Sequence, residues 1–361
     1  MPSKRKTIAV VTGSRAESGL LLSTMRAIGA HRDLNLRVIV AGSHFVQDSW
    51  RDIEKAGLPI DAKVRMQKKG QMGRNFDIEA YGRGVTGFGK AYESLCPDYV
   101  LVLGDRLEVH SAASAAMIWG VRIGHVHGGD RAEGLADEAM RHSVSKMAHL
   151  HFTATPASRK RLIRMGECET CVFHVGSPAV DSLKDVRAAE DAPLLIVMQH
   201  PTDILDLDEN RSMRETLAAS RGYERMVMMP NLDAGSEGIR QAIRKTKTKP
   251  VEHLPRERFL SLLKGCKAIV GNSSAGLIEA AALRVPCVNI GPRQNGREKP
   301  SNVVDCGENR KEIAAAILKA MSLDLRRMRH PYGDGLAGQR ITDLLAGMDL
   351  SDVPLRKQNT Y

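Results

Sequence analysis

The chain has 361 residues, 42% of them hydrophobic and 26% charged, a composition that excludes a disordered or fibrous polypeptide and makes two globular domains the better expectation than one. Its formal net charge is +11, yet Lys and Arg are spread along the chain and aromatics reach only 4%, so stacking platforms for nucleic acid are scarce and a small anionic substrate suits the field better. The apolar run Ile8 to Val11 is far too short for a signal peptide or a membrane span, and the six cysteines form no disulfide framework, so a cytoplasmic protein with reduced thiols and no membrane partner is expected.

Residues 4 to 40 are predicted to run strand, turn, helix, strand: KTIAVVTG, then SRAESGLLLSTMRAIGAH, then LNLRVIVAG. Leu20, Leu21, Met25 and Ile28 recur at helical spacing, as in a helix packed on a sheet. Gly13-Ser14-Arg15 lies where strand meets helix, a turn in which backbone amides and an arginine can receive a phosphate, although a plain βα turn reads the same. The second strand ends at Ala41-Gly42-Ser43-His44. Residues 65 to 80 are polar and glycine-interrupted and read as a loop that moves on ligand binding. A helix is predicted from Ile78 to Leu95, closed by Cys96-Pro97-Asp98.

The stretch from Leu101 to His142 gathers the most acid/base-capable side chains. Tyr99 to Leu103 reads as a buried parallel strand that stops at Gly104-Asp105-Arg106. Val121 to Val126 is a second strand, ending in His127-Gly128-Gly129-Asp130, and a helix begins near Asp137. Because ligands of open α/β sheets bind outside the carboxyl ends of strands, Asp105, His127, Asp130 and the first turn of the Asp137 helix are expected to converge. Asp137 and Arg141 are spaced i, i+4, as are Glu138 and His142, so each pair shares a helix face. Such a pair is often a mere helix-stabilising contact, but carboxylates clustered this way also push some pKa values up and permit acid/base roles.

AHLHFTAT is then a strand, ASRKRLIRMG a basic helix, and CVFHVGSPAVDSL a strand and a helix start. The charged run KDVRAAEDAP, residues 184 to 193, is the expected interdomain linker. Beyond it LLIVMQHP ends a strand at His200, RSMRETLAASR is a helix, RMVMMPNLDAG a strand ending at Asn231 and Asp233, EGIRQAIRKT and RERFLSLLKGC helices, KAIVGNSSAGLIEAAAL a strand, turn and helix, and VPCVNIGPRQNGRE a strand and loop. The tail is helical. The fold class is therefore α/β: two doubly wound, Rossmann-like domains with a cleft between them, the first over residues 1–183, the second over 184–340, and a tail, 341–361, packing back toward the first.

Gly271-Asn-Ser-Ser-Ala-Gly276 follows an apolar strand and opens a helix, so Ser273, Ser274 and the exposed amides make either a pyrophosphate cradle or an ordinary cap. Glu279, one turn on, is placed to accept from both hydroxyls of a ribose. Arg293 and Arg297 flank a loop and suit phosphates, and His200 at a strand end suits a phosphate or proton transfer as well as simple packing.

GSRAESGLL, AGSH, LGDRLE, HVHGGDRAEGLADEAMRH, MQHP, PNLDAGS, GNSSAG, NIGPRQNGRE and YGDG occur in the order found in hydrolysing UDP-N-acetylglucosamine 2-epimerases of sialic-acid biosynthesis, and the chain resembles that family from about residue 7 to about residue 345. The resemblance implies a GT-B-like fold, a homodimer or homotetramer, and no metal or redox cofactor. It implies a reaction in which UDP is eliminated to leave a glucal, to which water adds to give free N-acetylmannosamine. It places Arg15, Arg106, His200, Asn231, Phe259, Ser273, Ser274, Glu279 and Arg293 at nucleotide-binding positions, with Phe259 stacking the base. His44, Gly271 and Arg297 join these as candidates from the strand-end reading. Asp105, Asp137, Glu138 and Arg141 match the catalytic cluster, with His127, Asp130 and His200 beside it.

The chain departs from the family at His127, where many members carry Glu, at Asp130, where relatives with HxHGGE carry the longer acid, and at Gly19, where some place a Ser. The HxHGG pattern also occurs in enzymes for GDP-N-acetylglucosamine and UDP-2,4-diacetamido-2,4,6-trideoxyglucose. A non-hydrolysing epimerase, a glycosyltransferase of the same fold and a non-catalytic nucleotide-sugar sensor are the other readings. The carboxylates at 105, 137 and 138 favour the enzyme over the last two.

Overall fold

The computed structural model describes every residue except 1–4, 72, 133–136, 203–207, 232–234, 247–248 and 361, together with the side chain of 137. The chain divides into two compact units: Met1–Asp130, Asp137–Asp181 and Gly333–Tyr361 form the first, and Arg131–Ala136 with Ser182–Tyr332 the second.

The first unit holds a seven-stranded parallel sheet built from β1 (Lys6–Thr12), β2 (Leu34–Ala41), β3 (Ala62–Val64), β4 (Tyr99–Leu103), β5 (Arg122–Val126), β6 (Leu150–Thr153) and β7 (Val172–His174), in the order β3-β2-β1-β4-β5-β6-β7. Its central strands are apolar runs because both faces are covered. Alternation along β1 shows this directly. Ile8 and Val10 join a core with Leu21, Met25 and Ile28 of α1 (Arg15–Ala30) and Ile341 and Leu345 of α12 (Ala337–Gly347). Ala9 and Val11 face the other way, into a core with Phe88 and Tyr92 of α3 (Arg74–Leu95), Ala112 and Ala116 of α4 (Leu107–Trp119) and Val144 of α5 (Asp137–Met147). Helices α2 (Trp50–Lys55) and α6 (Pro156–Arg164) complete the unit.

Asp181 ties α12 down: its carboxylate accepts from the Ala337 and Gly338 amides at 2.9 and 2.8 Å, and from Ser23 Oγ of α1 at 2.8 Å. Two of the four amides that a helix start leaves unpaired are satisfied here by one buried acid that also grips the neighbouring helix.

The second unit has a five-stranded parallel sheet of β8 (Leu195–Met198), β9 (Arg225–Val227), β10 (Ala268–Gly271), β11 (Cys287–Ile290) and β12 (Val303–Cys306), in the order β12-β11-β10-β8-β9. Its helices are α7 (Glu209–Ala219), α8 (Ser236–Arg244), α9 (Arg256–Gly265), α10 (Glu279–Ala282) and α11 (Arg310–Met321). The charged run expected as a linker lies against α9 of this unit: Ala189 N donates to Ser261 O at 2.9 Å, and Lys264 Nζ donates to Val186 O at 2.6 Å.

Several elements differ from those expected. Helix α3 starts at Arg74 rather than Ile78, because Gly73 at φ +104 turns the chain and Asp77 supplies a negative charge to the first turn. After Ser177 there is a 3-10 turn, Pro178–Val180, and no α-helix. The helix expected to run on from Gly276 is a 3-10 turn, Ser274–Gly276, followed by the four-residue α10, since Ile278 at φ −103, ψ −70 breaks the helical path. The short strands β3 and β12 carry too few apolar residues for the sequence to announce them. Among the described residues no helix is long and apolar enough to cross a membrane.

Candidate active site

An open parallel sheet binds ligands where its strand order reverses. In the first unit that point lies between β1 and β4, and the turns after them are Gly13-Ser14-Arg15 and Gly104-Asp105-Arg106. Gly104 takes φ +83, open to glycine without strain, and its carbonyl accepts from His125 Nε2 at 2.8 Å. Burial pushes the His125 imidazole down to about 3, so it acts as a neutral prop under the turn. The next residue, Asp105, pairs with the guanidinium of Arg141 on α5. Arg141 is 3% exposed, whereas the Asp105 side chain keeps 19% of its surface, so the acid has one side clamped and one side open.

Glu138 lies 3.6 Å from His142 Nε2 across one turn of α5, the i, i+4 pairing expected. The side chain of Asp137 lies outside the described residues.

His127 and Asp130 form the corner after β5. His127 holds φ +63, uncommon for a residue with a Cβ, and is pinned there from both ring nitrogens: Nδ1 is 2.8 Å from Asp130 Oδ2 and Nε2 is 2.8 Å from Ser177 Oγ. Ser158 Oγ donates to Asp130 Oδ1 at 2.7 Å. Both residues are buried, and Gly129 between them admits no Cβ because Ser158 O would lie 2.5 Å from it.

Arg15 opens α1 behind a capping box formed by Ser14 and Glu17, with its Nε 3.6 Å from Asp52. His44 is fully buried; its Nε2 donates to Thr12 Oγ1 at 3.0 Å and its Nδ1 accepts from Ser49 Oγ at 2.7 Å, an assignment that leaves Thr12 free to donate to Ser14 O. Burial and the neighbouring Arg15 hold it at about 4, hence neutral. Arg106 begins α4 with its Nε 3.4 Å from Glu108.

In the second unit the reversal lies between β8 and β10, which end at His200 and at Gly271-Asn272. The Asn272 side chain bridges the two strand ends, accepting from His200 N at 2.7 Å and donating to His200 O at 2.8 Å. Asn231 N lies 3.3 Å from His200 Nδ1, so that nitrogen is an acceptor and Nε2 carries the proton. The Asn272 carbonyl accepts from Arg293 Nη1 at 3.1 Å and from Gln294 Nε2 at 2.9 Å. Gly271 at φ +143 is obligatory, since a Cβ would lie 1.9 Å from Met198 O.

Ser273 Oγ accepts from Ala275 N at 3.4 Å, and Ser274 opens the 3-10 turn. Glu279 is buried and pairs with Arg256 Nη1 at 3.2 Å. Phe259 shares the helix face of Arg256, three residues on, and is partly exposed. Arg297 closes the turn after Arg293, its amide 3.3 Å from Gln294 O. His200, Asn231, Ser273, Ser274 and Arg293 thus stand at the strand ends of this sheet with hydrogen-bond donors suited to anionic oxygen, whereas Glu279 and Phe259 are carried by helices and offer none. Among the described residues no group of three or more His, Cys, Asp or Glu could hold a metal ion.

The family model described as UDP-N-acetylglucosamine 2-epimerase matches residues 26–346. The chain belongs to the UDP-N-acetylglucosamine 2-epimerase family. It is 31% identical, over 99% of its own length and 100% of the other's, to the UDP-N,N'-diacetylbacillosamine 2-epimerase (hydrolyzing) of Legionella pneumophila. It is 31% identical over 84% of each chain to the GDP/UDP-N,N'-diacetylbacillosamine 2-epimerase (hydrolyzing) of Campylobacter jejuni. The fold is that of Methanocaldococcus jannaschii UDP-GlcNAc 2-epimerase, whose structure in complex with UDP-GlcNAc and UDP superimposes with a TM-score of 0.79 at 19% identity, covering 94% of this chain and 99% of that one. The two doubly wound α/β units are therefore those of a GT-B-like enzyme of this family.

Sequence reasoning passed over several residues of this 2-epimerase family member that the geometry brings into the site. Asn272 and Gln294 lie inside the GNSSAG and NIGPRQNGRE motifs but carry no charge that would mark them. Arg256 has no local signal, because its partner Glu279 is on another element. Glu17 and Glu108 each stand in the first turn of a helix, where an acid is ordinarily a capping residue.

Proposed function

We propose that the protein is a hydrolysing 2-epimerase that converts a UDP-activated 2-acetamido sugar, UDP-N-acetylglucosamine in the parent case, into the free 2-epimer and UDP. The observation that carries the reading is Asp105, an acid at the switch point of a sheet, clamped by a buried arginine on one side and open on the other. The reaction has two halves. A base takes the proton from carbon 2 while the bond from carbon 1 to the UDP oxygen breaks, leaving a glucal. Water then adds its oxygen to carbon 1, and carbon 2 receives a proton from the opposite face. Asp105 and Asp137 are the acid/base pair, with Glu138 and Arg141 beside them and the His127–Asp130 corner as their support. His200, Ser273, Ser274 and Arg293 stabilise the departing diphosphate. Arg15, Arg106 and Asn231 hold the nucleotide, Phe259 stacks the base, and Glu279 accepts from the ribose. The enzyme is cytoplasmic and a homodimer or homotetramer under this reading.

A second reading of the sugar is favoured by the relatives: both hydrolyzing epimerases above are named for diacetylbacillosamine, and one of them matches over 99% of this chain. That makes UDP-2,4-diacetamido-2,4,6-trideoxyglucose the first alternative donor, with GDP forms behind it.

Incubation in heavy water with each donor, following free nucleotide and deuterium at carbon 2, separates the cases. Free UDP with a deuterated free 2-epimer supports the hydrolysing reading and names the sugar. Deuterium in a sugar still bearing UDP points to the non-hydrolysing reaction, and binding without turnover on all donors points to a sensor.

A further inference from the structure

Two acids are buried side by side at the switch point of the first unit, and the reaction just described uses neither. Glu108 is 0% exposed. Its side chain lies in a slot made by two glycines: a Cβ on Gly13 would meet Glu108 Cβ and Cγ at 2.5 Å, and one on Gly42 would meet Oε1 at 2.3 Å. Gln67 Nε2 donates to Oε1 at 2.9 Å, and Oε2 faces Arg106 Nε at 3.4 Å. Glu17 is 4% exposed, and its Oε2 accepts from Gly13 N at 2.6 Å and Ser14 N at 3.1 Å. Among the described residues, Glu17 Oε1 and Glu108 Oε2 accept no hydrogen bond.

A capping glutamate needs neither this burial nor a second acid beside it. Two ionised carboxylates so placed would repel in a medium of low dielectric, with one guanidinium to balance them, so one keeps its proton. Burial, and next to it the charge of Glu108, raise Glu17 to about 7, while Arg106 and the two amides act in the opposite sense. His44 nearby is neutral, and Arg15 and Arg106 are the cations that face it. The arrangement therefore balances as one anion, Glu108, against Arg106.

We propose that Glu108 is the positioning residue for Arg106, fixing its guanidinium toward the nucleotide diphosphate, and that Glu17 is the neutral acid beside that pair. The inference rests on Arg106 being a nucleotide ligand. Ionising Glu17 adds a second negative charge beside Arg106 and opposes the phosphates, so UDP binding weakens once Glu17 loses its proton.

UDP titration calorimetry on the full chain tests this with Arg106→Gln, Glu108→Gln, the double variant and Glu17→Gln. Glu108→Gln is expected to weaken UDP about tenfold in the wild-type background and by less than about twofold in the Arg106→Gln background, the signature of one coupled pair. Wild-type UDP binding is expected to decline above about pH 7, and Glu17→Gln, whose amide oxygen still accepts from Gly13 and Ser14, is expected to match the wild type near pH 6 and to lack that decline. Equal effects of Glu108→Gln in both backgrounds, no effect of Glu108→Gln, or a Glu17→Gln profile that follows the wild type would each overturn the proposal. Should Arg106→Gln bind UDP normally, the nucleotide role of Arg106 falls and the proposal with it; a loss in Arg106→Gln alone sinks only the positioning role. The Glu17→Gln arm stands even if Glu108→Gln fails to fold.

Discussion

Asp105 and Arg141 meet although one follows a strand and the other lies within a helix that begins beyond the next strand, and the arginine is the more buried of the two. A buried guanidinium needs a counter-ion, so Asp105 does structural work as well as any chemistry. The same contact orients the acid, because the carboxylate cannot rotate away from its partner.

Asp105→Asn separates these roles. Turnover is expected to fall by about 10²- to 10⁴-fold, the range for loss of a general acid or base, while UDP affinity stays within about threefold of the wild type. Turnover assays beside UDP titration check this, and a parallel loss of both would make Asp105 a binding residue. A fall in melting temperature is expected too, because the buried Arg141 loses the charge of Asp105.

Asn272→Ala removes the clip between the ends of β8 and β10. The His200 amide and carbonyl lose their partners, and an unsatisfied buried group costs about 1–3 kcal/mol. Stability to urea is expected to drop by that order, and UDP binding to weaken because His200 is no longer held. An unchanged UDP affinity in the folded variant would show that His200 does not contact the nucleotide.

Gly271→Ala addresses the same turn through sterics alone. Its φ of +143 disfavours any side chain, and the added methyl would lie 1.9 Å from a backbone oxygen that cannot swing aside. Destabilisation on the order of 3 kcal/mol or more is expected, read as a loss of soluble protein or a lowered melting temperature. Wild-type stability in this variant would mean the strand ends can separate.

The dependence of stability on pH has a definite sign. Burial holds His44 near 4 and His125 near 3, below an ordinary histidine, so the unfolded chain binds more protons and stability falls as pH drops from about 6.5 toward those values. Burial works against the charge of Glu167, but His151, Lys357 and Lys146 outweigh it and place the acid at about 2, so its contribution is present above about 4.5 and lost on the way down to about 2. Glu17 runs the other way: raised to about 7, it favours the folded state least once pH exceeds that value. Stability, read as melting temperature, is therefore expected to fall steeply below about pH 4.5, where every acid-side effect points toward unfolding, by a free energy on the order of several kcal/mol. A flat profile between about pH 3.5 and 6.5 would refute these assignments.

Much of the fold was legible along the chain. Buried parallel strands read as apolar runs, and the βα alternation of both halves named the architecture before any contact was known. Turns at strand ends pointed to Asp105, His200 and Gly271, since the topological rule needs only the strands. Short elements escaped: β3 and β12 have no periodicity to find, and α10 could not be told from the longer helix its composition suggests.

By itself, then, the sequence determined the class of fold, the strand ends that carry chemistry and, through its ordered motifs, the family. Tertiary structure alone decided the partners. Arg141 was placed by spacing on the helix face of Asp137, and only the fold shows that it reaches Asp105 on another element; Glu279 was expected to wait for a ribose and is already joined to Arg256; Glu17 and Glu108 carry no signal in the sequence and are buried neighbours. The physical reason is the same in each case. Spacing along a helix or strand fixes which way a side chain leaves the backbone, whereas the charge it meets, and hence its protonation and role, depends on a second element whose position no local pattern records.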